Sequence, residues 1–246
     1  MTNAEVLGEP IKKSKVTPAG ACWRTNAKAF YTASVCLDGK PIDDVAAAYK
    51  WIISRRDINF ILVGDALNRI TLQIRDGLSK HEAEQRAELE SQLFVRRLIS
   101  SINDKSATIR KTSFLFSSAE FVKCLDEIRS SYNACKDFQS SVTSDAKLYV
   151  DRQQKKAKLA LDYNQSIELS IQYLKEEIAV YLMLAKEDYL VDFYLGQEIP
   201  TLAKIINGKL PNAPKPLKAR INIALQKRQR SAAVACKTQM QIKKAA

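Results

Sequence analysis

The chain holds a single histidine, His81, set in the charged segment Ser79-Lys80-His81-Glu82-Ala83-Glu84. One histidine excludes a multi-histidine metal centre, and its charged, exposed setting argues against a histidine-based nucleophile relay. Glycine is equally sparse. Its seven positions (Gly8, Gly20, Gly39, Gly64, Gly77, Gly196 and Gly208) form neither G-x-G-x-x-G nor G-x-x-x-x-G-K-[ST]. Dinucleotide dehydrogenases and P-loop nucleotidases fail on that count. There is no G-x-S-x-G elbow for an α/β-hydrolase either. Five cysteines (Cys22, Cys36, Cys124, Cys135 and Cys236), odd in number and without C-x-x-C spacing, read as free thiols. No apolar run is long enough to span a bilayer, and Met1 to Pro10 is polar where a signal peptide is basic and then apolar. A cytoplasmic protein without membrane contact is expected.

Acid is missing from one end. After Glu198 the chain carries 11 basic residues and no acidic one, whereas the first 198 residues hold 28 basic against 27 acidic. Almost all of the net +12 therefore lies in the last 48 residues. Such asymmetry points to a polyanionic partner, nucleic acid before membrane, because no aromatic amphipathic face accompanies it.

Periodicity places the elements. Residues 1–27 read as an irregular basic leader with Lys12, Lys13 and Lys15. Ala29–Cys36 is rich in β-formers and forms a first strand. Asp43 opens a helix running to Arg55-Arg56, and Ile58–Gly64 is a near-continuous apolar strand of the kind found inside parallel sheets. A long helical stretch, Asn68–Asn103, breaks at Asp76-Gly77 and restarts behind Ser79. Thr112–Phe116 reads as a third strand, and Ser118 opens a helix through Phe121 to Phe138. A helix or helix pair covers Ser144–Ala185, Tyr189–Leu195 alternates like a strand, and Pro200–Ile206 is a short helix. A proline-stiffened linker over Pro211–Pro216 leads to a last strand over Ala219–Leu225. Strands alternating with helices specify an α/β fold: a mainly parallel five-stranded sheet with helices on both faces, one domain over 28–226, and a basic tail over 227–246. Ligands of such sheets bind beyond the carboxyl ends of the strands, where Ser34, Asp65 and Ser117-Ser118 fall.

One helical stripe stands out. Leu169, Tyr173, Glu177, Val180 and Leu184 recur every three or four residues, apolar except for a carboxylate one turn after a phenol. On pattern alone a rim position for Glu177 is the commoner outcome, since a carboxylate facing a core must be neutralised, bonded or used.

Serine at a strand end, Tyr173-x-x-x-Glu177, and Asp192-Phe193-Tyr194 leading to Glu198 and Pro200 together resemble the tRNA-dependent cyclodipeptide synthases. The resemblance covers residues 28–226 and includes Ile61–Asp65 with the following helix. It implies a Rossmann-like domain similar to the catalytic domains of class I tyrosyl- and tryptophanyl-tRNA synthetases. It also implies a reaction joining the aminoacyl groups of two charged tRNAs into a diketopiperazine, with no ATP, metal or other cofactor. Ser34 takes the nucleophile's position, Tyr173 and Glu177 grip the α-ammonium group, and Tyr194 assists ring closure. Tyr189 is the alternative to Tyr194, because Leu195 stands where the family has His or Pro. Thr32 replaces a frequent Gly and Leu37 a frequent Asn, which implies the branch lacking that Asn. Thr32, Leu37, Asp65, Phe121 and Glu198 are expected to bind substrate. Arg96, Arg97, Arg152, Lys155, Lys156, Lys158, Lys218 and Arg220 are expected to meet tRNA phosphates, and a monomer suffices. Two other classes are weighed against this. One is a non-catalytic RNA-binding protein in which Ser34, Tyr173 and Glu177 only pack. The other is a methyltransferase, disfavoured by the lack of a glycine-rich turn after the first strand.

Overall fold

The computed structural model describes residues 11–35, 42–155 and 162–227. Within them the strands are β1 (Ile11–Thr17), β2 (Lys28–Ala33), β3 (Phe60–Val63), β4 (Ile109–Lys111), β5 (Tyr189–Leu195) and β6 (Ile221–Lys227). The helices are α1 (Ile42–Ile53), α2 (Asp65–Asp76), α3 (Lys80–Ile102), α4 (Thr112–Phe116), α5 (Ala119–Ala134), α6 (Lys136–Gln154), α7 (Tyr163–Lys186), α8 (Pro200–Ile206) and α9 (Lys215–Lys218). The strands form one sheet in the order β1-β6-β5-β2-β3-β4, parallel throughout except for the β1–β6 pair. The α/β, Rossmann-like reading holds, with six strands in place of five.

Side-chain alternation along the strands splits the core in two. Phe30, Phe60 and Leu62 face a cluster built from α5, α6, α7 and α8. Tyr31, Ile61, Val63, Phe193 and Ile223 face the other way, onto α1 and α3. Helices thus cover both faces, as a parallel sheet requires.

The helix breaks follow local chemistry. Gly77, in a left-handed conformation at φ 67°, ends α2, and Ser79 with Glu82 forms a complete capping box that starts α3. Ser118 caps α5 by accepting from the Phe121 N–H.

Four sequence expectations are corrected. The leader is not irregular from 11 to 17: its lysines lie on an exposed edge strand, β1, where charge is the usual defence against edge pairing. A bulge between Lys13 and Lys15 disturbs the alternation that would have revealed it. Thr112–Phe116 is helix α4, not strand; β4 precedes it, and Phe114 is 75% exposed. The helix expected from Ser118 to Phe138 stops at Cys135, whose extended backbone separates α5 from α6. The proline linker contains the short helix α9, started by Pro216 near its N-terminus.

Candidate active site

Three strand ends and one helix build the site. On β2, Phe30 and Thr32 point to the α7 face, and Ser34 continues that alternation just past the strand. On β5, Asp192 and Tyr194 lie between Val191, Phe193 and Leu195, which all point to the opposite face. On β6, Asn222 and Ala224 likewise alternate with Ile223 and Leu225. Pairing aligns these residues: Thr32 sits beside Tyr194, Asp192 beside Asn222, and Tyr194 beside Ala224. The α7 stripe then places Tyr173, Glu177 and Tyr181 over them.

These groups line a cavity of about 610 Å³ bounded by Ser34, Tyr173, Glu177, Tyr181, Asp192, Tyr194, Glu198 and Asn222, with Tyr149 and Ser170 also in its lining. A recess of about 30 Å³ opens beside it, bounded by the same serine, the tyrosines 173, 181 and 194, and Glu177, together with Thr32 and Gly64. The four residues expected to be catalytic therefore face one space. Tyr189, the alternative to Tyr194, packs against Phe60 at the other end of β5, with ring centroids 4.9 Å apart.

Electrostatics single out Glu177. Burial pushes its carboxyl up to about 7, and the neighbouring Asp192 adds to the rise, against opposing hydrogen bonds from Tyr181 and Tyr173 and the charge of Arg220. The Tyr181 hydroxyl lies 3.5 Å from Glu177 Oε1. Burial likewise raises the Tyr173 phenol, with the Glu177 charge next in weight, so it stays protonated and can donate. Tyr173 stacks on Tyr149 at 5.8 Å, which fixes its ring against α6. Its neighbour in sequence behaves differently. Glu176 is held by Arg69 at 2.7 Å and by Gln172 at 2.9 Å, a neutralised ion pair on another side of the helix.

Beneath Glu177 runs a polar chain. Thr32 donates to Asp192 Oδ1 at 2.7 Å, and Arg220 Nη2 donates to Asp192 Oδ2 at 3.0 Å and to Asn222 Oδ1 at 3.3 Å. Asn222 donates to Glu198 Oε1 at 2.9 Å, and Glu198 Oε2 accepts from Thr17 at 2.7 Å and from Lys15 at 3.2 Å. Burial lifts Asp192 to about 6 against the pull of Arg220.

Several expected residues lie elsewhere. Asp65 is buried away from the cavity. Its carboxylate accepts from the Thr112 hydroxyl (2.9 Å), the Ser113 N–H (2.9 Å) and the Ser113 hydroxyl (2.6 Å), and so serves as the start of α4. Phe121 is core, stacked on Phe116 at 4.2 Å. Arg220, expected on the nucleic-acid surface, is fully buried at 0% exposure. Its proximity to Lys218 and the basic tail suggested a surface patch, but strand alternation turns it under α7. Arg152 and Lys155 are exposed and line the cavity, while Arg96 and Arg97 are exposed along α3. Lys218 is half-buried and donates to the Pro211 carbonyl at 2.6 Å. Leu37, Lys156 and Lys158 lie outside the described residues. Sequence reading gave no site role to Tyr181, Asn222 or Tyr149, and quoted Asp192 only as the start of the Tyr194 segment. The signal for Tyr181 was present, one turn beyond Glu177; Asp192 and Asn222 depend on strand pairing, and Tyr149 on helix packing, between residues far apart in sequence. Among the described residues no cluster of His, Cys, Asp and Glu could hold a metal ion, and no helix is long and apolar enough to cross a membrane.

No family model matches the sequence, and no curated protein sequence does. Solved structures do. A cyclodipeptide synthase from Bacillus thermoamylovorans superposes with a TM-score of 0.68 at 10% identity, over 82% of this chain and 90% of that one. One from Fluoribacter dumoffii gives 0.65 at 18% identity, over 83% and 92%. One from Candidatus Glomeribacter gigasporarum, bound to Phe-tRNAPhe, gives 0.51 at 17% identity, over 84% and 90%. At such identities the likeness concerns the fold, and across most of its length this chain has the Rossmann-like fold of the cyclodipeptide synthases.

Proposed function

We propose that this protein is a tRNA-dependent cyclodipeptide synthase that works through acyl-serine intermediates. The observation carrying the proposal is the convergence of Ser34, Tyr173, Glu177 and Tyr194 on one cavity that has Arg152 and Lys155 in its lining. The shared fold with a synthase bound to a charged tRNA supports the choice of substrate.

In this reading Ser34 Oγ attacks the ester carbonyl of the first aminoacyl-tRNA. Its proton leaves with the ribose oxygen, the tRNA departs, and the aminoacyl group stays on the serine. A serine without a histidine partner is a weak nucleophile, but an ester is already an activated acyl donor, and cavity-held proximity supplies much of the remaining rate. Glu177 and the Tyr173 hydroxyl hold the α-ammonium group. That group must lose a proton before it attacks the second aminoacyl ester. A carboxyl at about 7 is close to the α-amino range of about 7.7–8.0, so Glu177 is matched to receive it. The bound amine displaces the second tRNA and leaves a dipeptidyl-serine. The terminal amine of the dipeptide then attacks the serine ester, and Tyr194 relays a proton as the ring closes and Ser34 is regenerated. Arg152, Lys155, Arg96 and Arg97 meet phosphates, which requires no base reading and suits an enzyme that selects tRNAs by the amino acid they carry. No ATP and no metal enter any step. The branch of the family lacking the Asn after the serine, a monomeric state and a cytoplasmic location belong to the same reading.

Expression of the chain in cells, with mass spectrometry of the medium, tests this. Diketopiperazines that vanish with Ser34→Ala are the expected result. Their absence, together with absence of any adduct from a full pool of aminoacyl-tRNAs on folded protein, would return the site to a non-catalytic RNA-binding role.

A further inference from the structure

Arg220 is the largest fully buried side chain in the described fold, yet it touches no substrate cavity. Its contacts follow a pattern. Nη2 bonds Asp192, which is two residues before Tyr194 on β5 and so on the same strand face. Asp192 also accepts from Thr32, two residues before Ser34. The guanidinium plane lies 4.0 Å over the Tyr181 ring, one helical turn after Glu177. Beyond Asn222 and the Phe30 ring, its contacts thus lead, directly or through Asp192, to residues one side-chain repeat from a candidate catalytic residue on three different elements.

We propose that Arg220 is a positioning residue: through Asp192, Thr32 and Tyr181 it sets the relative placement of Tyr194, Ser34 and Glu177. The assignment of those three as catalytic rests on the cyclodipeptide synthase reading; the positioning itself does not. Stability alone is a poor reason for this arrangement. A buried ion pair is often no more stable than apolar side chains of the same volume. Here two further guanidinium atoms, Nε and Nη1, are buried without hydrogen-bond partners, an arrangement that native interiors seldom tolerate. What the pair does supply is direction, because a planar guanidinium can bond in its plane and stack on its face at once. Together these two modes link a β5 carboxylate to an α7 phenol ring, alongside Thr32, which bonds both.

Arg220→Lys separates this role from simple charge balance, since it keeps the cation and loses the stacked plane. Two readouts are needed. In turnover, kcat falls about tenfold while KM for aminoacyl-tRNA stays within about twofold, because the tRNA contacts lie elsewhere. In the full-length protein, the carbon-13 carboxyl titration of Glu177 moves up by about half a pH unit, because the Tyr181 hydroxyl no longer supports the carboxylate. Asp192, Tyr173, Tyr181 and Arg220 are the titratable groups that act on Glu177, and Arg220→Lys changes none of their charges. Tyr181→Leu, which leaves the Arg220–Asp192 pair in place, gives the same rise and covers the case in which the lysine variant does not fold. Combining the two adds no further shift, as expected of one coupled unit. A wild-type Glu177 midpoint in folded Arg220→Lys or Tyr181→Leu overturns the proposal. If the midpoint moves but the wild-type protein makes no diketopiperazine, the positioning stands and the synthase reading falls.

Discussion

Two corners of this sheet have a carboxylate beside the end of a parallel strand, one following β3 and one reaching over from α7, and they do opposite things with it. At the end of β3, Asp65 is saturated: two hydroxyls and a backbone N–H bond it, with Lys111 at 3.9 Å. Over the ends of β2 and β5, Glu177 faces a cavity with only the Tyr181 hydroxyl, at 3.5 Å, and the Tyr173 hydroxyl to support it, and with an acid, Asp192, for a neighbour. Both acids lie at the carboxyl-end edge of the sheet, where ligands of α/β sheets bind, so position along the strands alone does not separate them. Saturation does. A carboxylate holding three hydrogen bonds with a lysine alongside has little left to offer a ligand, whereas a less supported one in a low-dielectric pocket favours a cation or a proton. The contrast between Glu176, locked on Arg69, and Glu177 repeats the lesson within one helical turn.

Breaking either corner should therefore show up in different measurements. The largest effect is expected at Glu177. Glu177→Gln keeps shape and hydrogen bonding but cannot take a proton, and diketopiperazine formation should fall about 100-fold, roughly 2.7 kcal/mol in barrier. Tyr173→Phe should cost about tenfold. Neither should lower the melting temperature, and wild-type rates in both would make the pair ordinary packing. At the Asp65 corner the signs reverse. Asp65→Ala strands the donors at the start of α4 and should cost about 2–3 kcal/mol in urea unfolding, with turnover per folded molecule nearly unchanged.

A subtler test uses pH. The folded-state carboxyl of Glu177 lies above its unfolded value, at about 7 against 4.5, and Asp192 lies at about 6 against 3.8. Between those limits the folded state binds more protons than the unfolded one. Their contribution is fully present below pH 4 and is lost as pH rises through 7. Stability should decline over that window, and Glu177→Gln should flatten the decline. An unchanged slope would mean that Glu177 is solvated. The smallest effect belongs to the rim: Arg152→Ala and Lys155→Ala should each weaken tRNA binding several-fold and reduce its salt slope by about one.

What was legible in the sequence divides along the same line. The α/β order, the α2–α3 break at Gly77, the Ser79 and Ser118 caps and the Tyr173–Glu177 stripe all depend on neighbours within a few residues, and each was readable. The polar chain from Thr32 through Asp192 and Arg220 to Asn222 and Glu198 was not, because it needs the β2-β5-β6 pairing of residues far apart in the chain. Arg220 shows the cost of that blindness. In a basic C-terminal stretch it reads as a phosphate ligand, and only strand alternation reveals it as the buried partner of Asp192. Asp65 misled for the converse reason: its partners at 112 and 113 lie in a segment whose apolar residues mimic a strand. Edge strand β1 was hidden by lysines that serve solubility and by its bulge.

The central claim is that Ser34 carries the acyl group. Intact-protein mass spectrometry, after a short incubation with a single aminoacyl-tRNA and acid quench, tests it most directly. The account predicts a mass increase of one aminoacyl residue that maps to the Ser34 peptide, is released by mild base and is absent in Ser34→Ala. An unmodified protein with every aminoacyl-tRNA tried, or an adduct that survives Ser34→Ala, would contradict it.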